Sequence, residues 1–182
     1  MMRLFHTSFS VVEKPIITEG RKNADFSQGF YLSDDEEFSK RWAKSRTGMT
    51  TYLNIYDLDE KGLNIKTFDQ DEEWYDYIFA NRKGKPDSFS NYDVIIGPIA
   101  NDTLYDTWGM LTSGVLDKAT SLKCLKIGNV YHQIVIKSDK ALDSLHFVEA
   151  RVIDDSKVEE YKEALAKEEE KFQLEFAKIV GD

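Results

Sequence analysis

Residues 23–33 read Asn-Ala-Asp-Phe-Ser-Gln-Gly-Phe-Tyr-Leu-Ser, a small polar segment that runs into an aromatic one. Gly, Asn and Ser punctuate regular structure, whereas the aromatic content of 29–32 favours a short β-strand. Upstream, residues 3–7 (Arg-Leu-Phe-His-Thr) have the apolar character of a buried strand. The N-terminal part of the chain therefore predicts two strands joined by a loop.

Further elements follow without a regular alternation of strands and helices. Apolar patterning predicts strands at 51–57, 63–68, 92–99, 131–137 and 145–153, and helices at 34–44, 72–81, 116–125 and 155–180. Ser33 or Asp34 is the expected cap of the first helix. This order favours the α+β class over a doubly wound sheet. We expect one domain at 1–153 and an acidic amphipathic helix at 154–182 that docks on it or binds a partner.

The formal net charge of −9 and the single cysteine limit the classes of function. A broad nucleic-acid surface needs clustered Lys and Arg, so the acidic balance argues against one. No apolar run approaches the roughly 20 residues that cross a bilayer, and no secretory signal is visible, so we expect a cytoplasmic protein without membrane contact. Cys124 has no second cysteine to pair with and is interpreted as a core residue.

Several familiar catalytic motifs are missing from the sequence. The phosphate-binding patterns GxxxxGK with Ser or Thr and GxGxxG do not occur, nor does the GxSxG nucleophile elbow. The three histidines lie far apart, and most carboxylates lie in acidic runs typical of solvated helix faces. We therefore expect no metal site and exclude kinase, P-loop and metallohydrolase functions.

Three segments remain as candidates for a site: the opening segment quoted above, residues 4–8 (Leu-Phe-His-Thr-Ser) and residues 131–136 (Tyr-His-Gln-Ile-Val-Ile). Taken singly, His6 fits a core histidine, Tyr31 a packed strand aromatic, and Gln133 a polar residue at a strand edge. Their joint order along the chain, each in a strand context, is more informative than any one of them.

That order resembles the NAD-binding core of the ADP-ribosyltransferase fold, in its His-Tyr-Glu branch, which includes the poly(ADP-ribose) polymerases and diphtheria toxin. The chain also resembles, over nearly its whole length, a family of uncharacterised bacterial proteins grouped with that fold. Shared features are Asn-x-Asp-Phe-x-x-Gly-Phe-Tyr-Leu, residues 74–76 and 81–82, the run 92–98, and the Gln of the late strand. The resemblance implies two facing, mainly antiparallel sheets around an NAD cleft, with peripheral helices.

The resemblance also implies roles for five residues. His6 would hydrogen-bond the adenosine ribose of NAD, and the backbone of Thr7 would hold the nicotinamide amide. Tyr31 would stack on the nicotinamide ring, and Trp42 would form a second aromatic wall. Gln133 falls where the branch has its catalytic Glu. NAD would be a substrate, and no metal is implied.

Such residues suit a reaction in which nicotinamide leaves the ribose of NAD. A flat aromatic face holds the cationic ring, and a carboxylate about 4 Å from the developing ribose cation contributes about 4 kcal/mol at an effective dielectric of ~20. Gln133 carries no charge, which leaves three hypotheses. The protein is a slow, toxin-like mono-ADP-ribosyltransferase; another carboxylate, Asp102 or Glu149, supplies the charge; or the site binds NAD or ADP-ribose without turnover. An NAD glycohydrolase is a weaker alternative.

The sequence predicts the acceptor and the protein partners only in outline. We expect a macromolecular acceptor, protein or nucleic acid, chosen by the loops at 83–91 and 101–114. Arg82 fits a phosphate contact, a surface position or a helix end, and Asp93 fits a turn or strand end. The helix at 155–180 is a candidate surface for a partner protein.

Overall fold

The computed structural model of the chain describes residues 1–44, 46–100 and 116–181. Within these ranges there are seven strands, five α-helices and a 3-10 turn at Ile17–Glu19. The strands are β1 (Met2–Ser8), β2 (Phe30–Ser33), β3 (Thr51–Leu58), β4 (Ile65–Thr67), β5 (Val94–Pro98), β6 (His132–Ile136) and β7 (Leu145–Ile153). The helices are α1 (Glu36–Lys40), α2 (Glu72–Arg82), α3 (Lys118–Leu125), α4 (Asp139–Asp143) and α5 (Asp155–Gly181). The predicted α+β class is confirmed.

All seven strands belong to one sheet, in the order β4-β5-β6-β2-β1-β3-β7. β4 and β5 run parallel, and each other neighbouring pair is antiparallel. The prediction of mainly antiparallel pairing is therefore confirmed. The prediction of two separate facing sheets is wrong for the described residues, because β1 pairs with β2 and joins the two halves.

The link between those halves is confined to one position, Phe5 opposite Ser33. On its other side β1 pairs with β3 along its whole length, from Met2 to Ser8. Past Phe5, β1 and β2 separate. The sheet thus consists of a four-stranded half (β4-β5-β6-β2) and a three-stranded half (β1-β3-β7), with an opening between them.

Helix α1 is shorter than predicted and has a different cap. The carboxylate of Asp35 accepts the N–H of Phe38 at 2.9 Å, so Asp35 is the cap rather than Ser33 or Asp34. Ser33 belongs to β2 instead. Because the helix ends at Lys40, Trp42 lies in the turn that follows and not on the helix itself.

Buried side chains cover both faces of the sheet. Ile134 and Val135 follow each other on β6 and so point to opposite faces. Ile134 packs in a cluster that includes Ala141 of α4. The Val135 face carries two clusters, one with Trp74 of α2 and one with Leu53 of β3, which flank the opening.

Helix α5 packs against both clusters on that face. Its Val158 belongs to the cluster of Leu53, whereas Phe172 and Phe176 belong to the cluster of Trp74. Between these anchors, Glu168 forms an ion pair with Arg41 at 2.7 Å. The long helix therefore holds the two halves of the sheet together. In the described ranges, every helix is too short or too polar to cross a membrane.

Candidate ligand site at the opening of the sheet

A cavity of about 480 Å³ lies at the opening between β1 and β2. This volume falls within the range of small-molecule sites, about 300–1,000 Å³. The five residues to which the resemblance gives roles all line it: His6, Thr7, Tyr31, Trp42 and Gln133. They come from β1, β2, β6 and the turn after α1. Only the tertiary structure brings these segments together.

His6 bridges the gap where backbone pairing stops. Its Nδ1 donates to the carbonyl oxygen of Tyr31 at 2.9 Å, since a carbonyl can only accept. Its ring lies 4.7 Å from that of Phe30. Burial lowers the pKa of His6, although the hydrogen bond to Tyr31 opposes the shift. The imidazole is therefore neutral near pH 7, and its Nε2 can accept a hydrogen bond from a ligand.

Tyr31 is held by its hydroxyl group. The phenolic oxygen accepts the N–H of Phe26 at 2.9 Å and donates to the carbonyl of Ser27 at 2.7 Å. Ser27 has a φ of 64°, an uncommon conformation for a residue with a side chain. Burial and the nearby Asp25 carboxylate raise the pKa of Tyr31, so the phenol stays protonated. The tyrosine thus fixes the loop before β2 as well as lining the cavity.

The part of the cavity wall formed by Thr7 and Trp42 is attached to helix α1. The hydroxyl of Thr7 donates to the carbonyl of Ser39 at 2.7 Å, which fastens β1 to the helix. Trp42 stands edge-to-face against Phe38, with ring centroids 6.0 Å apart. Trp42 remains 39% exposed, whereas Phe38 is buried. The indole therefore lies at the mouth of the cavity with room to meet a ligand.

Gln133 lies in the middle of the sheet, between Ser33 on β2 and Gly97 on β5. Its side chain is buried and lines the cavity. Position 97 has no room for a side chain, because a Cβ there would come within 2.7 Å of the Phe26 ring. The Gln133 amide nitrogen donates to Oδ2 of Asp25 across a long contact of 3.5 Å.

Asp25 is a cavity residue to which the sequence analysis assigned no role. Its Oδ1 accepts from Nε of Arg82 at 2.6 Å, and both side chains are about nine-tenths buried, with exposures of 12% and 10%. The Asn81 side chain donates to the backbone carbonyl of Asp25 at 2.9 Å. Arg82 therefore lies in a buried ion pair and not at a surface position. Both motifs stood out in the sequence, but no local spacing connects them.

A second buried ion pair also anchors the loop before β2, through the backbone of Phe26. Lys137 pairs with Asp87 and also donates to the carbonyl of Phe26 at 2.9 Å. The hydroxyl of Tyr77 donates to Asp87 at 2.8 Å. Burial alone would raise the pKa of Asp87, but these bonds and Lys137 outweigh it and lower the pKa. Sequence reasoning missed this pair because both residues lie in regions interpreted as loop or strand end.

Two cationic side chains, Arg21 and Lys44, also line the cavity and are exposed. In the sequence, Arg21 lies before the 23–33 segment and Lys44 lies after α1. Long cationic side chains at a cavity rim suit a phosphorylated ligand, because charge-assisted bonds to phosphate are among the stronger ones. Neither residue was proposed as a ligand contact from the sequence.

Of the two alternative carboxylates, Glu149 lies in the described residues and is not among those that line the cavity. Glu149 lies on the outer strand β7, where it is about half exposed and paired with Arg151. Asp102 and the segment 101–114 lie outside the described residues. Asp93 accepts from the Asn64 N–H at 2.8 Å and from Ser138 at 2.6 Å, and these bonds lower its pKa. Its position at a junction between segments agrees with a turn or strand-end role.

No group of potential ligands among the described residues could hold a metal ion. A comparison with curated proteins finds no match for this chain. A family model described as "Protein of unknown function (DUF3990)" matches residues 2–147, which contain every strand of the sheet except the end of β7. The chain therefore belongs to the DUF3990 family.

Proposed function

We propose that the protein is an NAD-dependent mono-ADP-ribosyltransferase that moves ADP-ribose from NAD to a macromolecular acceptor. One observation carries this proposal. Five residues singled out by a resemblance of sequence order line a single cavity at the opening between β1 and β2. The cavity has the volume of a small-molecule site and mixes aromatic, polar and cationic side chains.

Each wall of the cavity has a role in holding NAD. Tyr31 and Trp42 offer aromatic faces to the cationic nicotinamide ring, each contributing about 0.5–2 kcal/mol. The Nε2 of His6 accepts a hydrogen bond from the adenosine ribose. The backbone of Thr7 holds the nicotinamide amide. Arg21 and Lys44, both exposed in the cavity lining, contact the diphosphate in this proposal.

The reaction breaks the bond between the nicotinamide nitrogen and C1′ of the ribose. The bonding electron pair leaves with nicotinamide, which becomes neutral, and the ribose gains oxocarbenium character. A nucleophile of the acceptor then bonds to C1′ and loses its proton. Gln133 holds the 2′-hydroxyl through its amide oxygen but contributes no charge. We therefore expect single transfer and no polymer elongation.

A second candidate is an NAD or ADP-ribose binding module without turnover. The uncharged side chain of Gln133 at the position of the expected carboxylate favours it. In that case α5, with its acidic exposed face, would present the ligand-bound domain to a partner protein. An NAD glycohydrolase would instead pass the ribose to water and release free ADP-ribose.

The test is a titration of the purified protein with NAD that follows the heat of binding and nicotinamide release together. Tyr31→Ala and Gln133→Ala probe the cavity. Tyr52→Ala on β3 and Gln173→Ala on the exposed face of α5 are matched controls, since neither lines the cavity. The transferase is supported if the wild type binds NAD and releases nicotinamide, and if only the cavity variants do so more weakly. Binding without release favours the module, and no binding at millimolar NAD rules out both.

A further inference from the structure

Asp25 is the carboxylate that the described structure places closest to Gln133 in the cavity wall. We propose that Asp25 supplies the negative charge that stabilises the developing ribose cation of NAD, with Gln133 as its uncharged partner. This inference rests on the proposed function. It differs from the pattern of the resembled branch, whose late strand carries the carboxylate, and from the alternatives Asp102 and Glu149, because it names a residue on the loop before β2.

The two oxygens of the Asp25 carboxylate have different partners. Oδ1 accepts from Arg82 at 2.6 Å, and Oδ2 faces the amide nitrogen of Gln133 at 3.5 Å. The long second contact leaves Oδ2 only weakly engaged, because good N–H···O bonds measure about 2.7–3.2 Å. A charge held in this way remains available to a cation that enters the cavity.

The same contact orients the amide of Gln133. When Nε2 points to a carboxylate, Oε1 must point away from it, because the two atoms lie on opposite sides of the amide. Gln133 Oε1 is then the acceptor for the ribose 2′-hydroxyl. Asp25 thus contributes its charge and also favours this orientation of the Gln133 amide.

This arrangement gives a reason for glutamine at position 133. A glutamate there would place a second carboxylate beside Asp25, and two such groups at about 3–4 Å do not both ionise readily. The site would then gain little charge. With Gln133, Asp25 has no second carboxylate beside it at this position and keeps its ion pair with Arg82.

Arg82 and Asn81 hold the loop in place from helix α2. Arg82 binds the carboxylate, and the Asn81 side chain binds the backbone carbonyl of Asp25 at 2.9 Å. Asp25 forms no covalent bond and exchanges no proton in the reaction. The C1′–nitrogen bond breaks with its electrons on nicotinamide, and the acceptor nucleophile replaces it and releases a proton.

The experiment measures nicotinamide release by the full chain at saturating NAD. Asp25→Asn should lower kcat about 100-fold, within the range seen when one electrostatic stabiliser is removed, while KM for NAD changes only a few-fold. Asp87→Asn is the matched control, since it breaks the other buried ion pair near the same loop and leaves Asp25 and Arg82 in place. It should retain kcat within about tenfold of the wild type.

Moving the carboxylate from position 25 to position 133 by substitution sharpens the test. Gln133→Glu alone should not raise kcat above the wild type, because it creates the carboxylate pair described above. The double variant Asp25→Asn with Gln133→Glu should recover at least tenfold over Asp25→Asn alone. A merely structural role for Asp25 predicts instead that Gln133→Glu changes kcat by the same factor with and without Asp25→Asn.

Folding is checked by thermal melting of every variant. If Asp25→Asn does not fold because Arg82 loses the carboxylate of this ion pair, Asp25→Asn with Arg82→Gln removes both charges and should fold yet stay inactive. A wild-type kcat in a folded Asp25→Asn protein, or in that double variant, overturns the inference alone. Wild-type binding of NAD without nicotinamide release overturns the proposed transferase, and this inference with it. No NAD binding by the wild type overturns the proposed function itself.

Discussion

Backbone pairing differs strongly between the two edges of strand β1. Towards β3, every residue of the strand is paired, and the adjoining cluster around Leu53 is apolar. Towards β2, only Phe5 is paired. Beyond it, side chains replace the backbone ladder: His6 donates to the Tyr31 carbonyl and Thr7 donates to the Ser39 carbonyl. The closed side stabilises the fold, and the open side makes room for a ligand.

The largest loss of stability is expected when a buried side chain on the β3 side of β1 is shortened and leaves an empty space. Leu53 is fully buried opposite Thr7, so Leu53→Ala should lower the free energy of unfolding by about 2–5 kcal/mol. Urea denaturation measures the change. Val152→Ala on the neighbouring strand, where the side chain is 59% exposed, should change it by less than about 0.5 kcal/mol. Equal effects of the two variants would contradict the comparison.

A smaller loss is expected on the open side from Tyr31→Phe. The ring remains, but the N–H of Phe26 and the carbonyl of Ser27 lose their partner, at a cost of about 1–3 kcal/mol. NAD binding should change less than with Tyr31→Ala, because the aromatic face is kept. Tyr52→Phe on β3 is the control. A stability equal to that of the wild type would show that the hydroxyl does not hold the loop.

Thr7→Val tests the link between β1 and α1. The variant keeps the branched shape and removes the hydroxyl that donates to Ser39, so we expect a loss of about 1 kcal/mol. Amide hydrogen exchange in α1 should become faster. Thr18→Val, at an exposed position, is the control. Unchanged exchange in α1 would mean that its other contacts suffice.

The smallest effect concerns pH. Burial lowers the pKa of His6 in the folded state, so folding disfavours the protonated ring. Its contribution to stability is complete above the unfolded pKa of about 6.5 and decreases as the pH falls below that value. His6→Asn should therefore show a shallower loss of stability between pH 7 and 5. Thr18→Asn, an exposed position without a titratable group, should keep the wild-type slope. Identical slopes for all three proteins would contradict this assignment.

The sequence predicted many elements because their patterns are local. The apolar runs of β6 and β7 and the helical spacing of α2 lie within a residue or two of the predicted bounds. Helix α4 was missed, since five residues show no periodicity. The cap of α1 was misplaced, because Ser33, Asp34 and Asp35 can all cap a helix.

The candidate site was predicted in part. His6, Tyr31 and Gln133 were selected by their order and strand context, and the structure places them in one cavity. Asp25 and Arg82 were visible as motif residues, but their ion pair was not. A pair formed between distant segments depends on how a loop meets a helix, and periodicity carries no information about that meeting.

By itself, the sequence determined the α+β class, most strands, the acidic amphipathic helix and the set of polar residues near strand ends. These properties follow from residue periodicity and side-chain chemistry. Only the tertiary structure decided that the strands form one sheet, that β1 leaves β2 after Phe5, and that Asp25 lies beside Gln133. Strand order and register arise from packing between distant segments, so no local stretch of sequence encodes them.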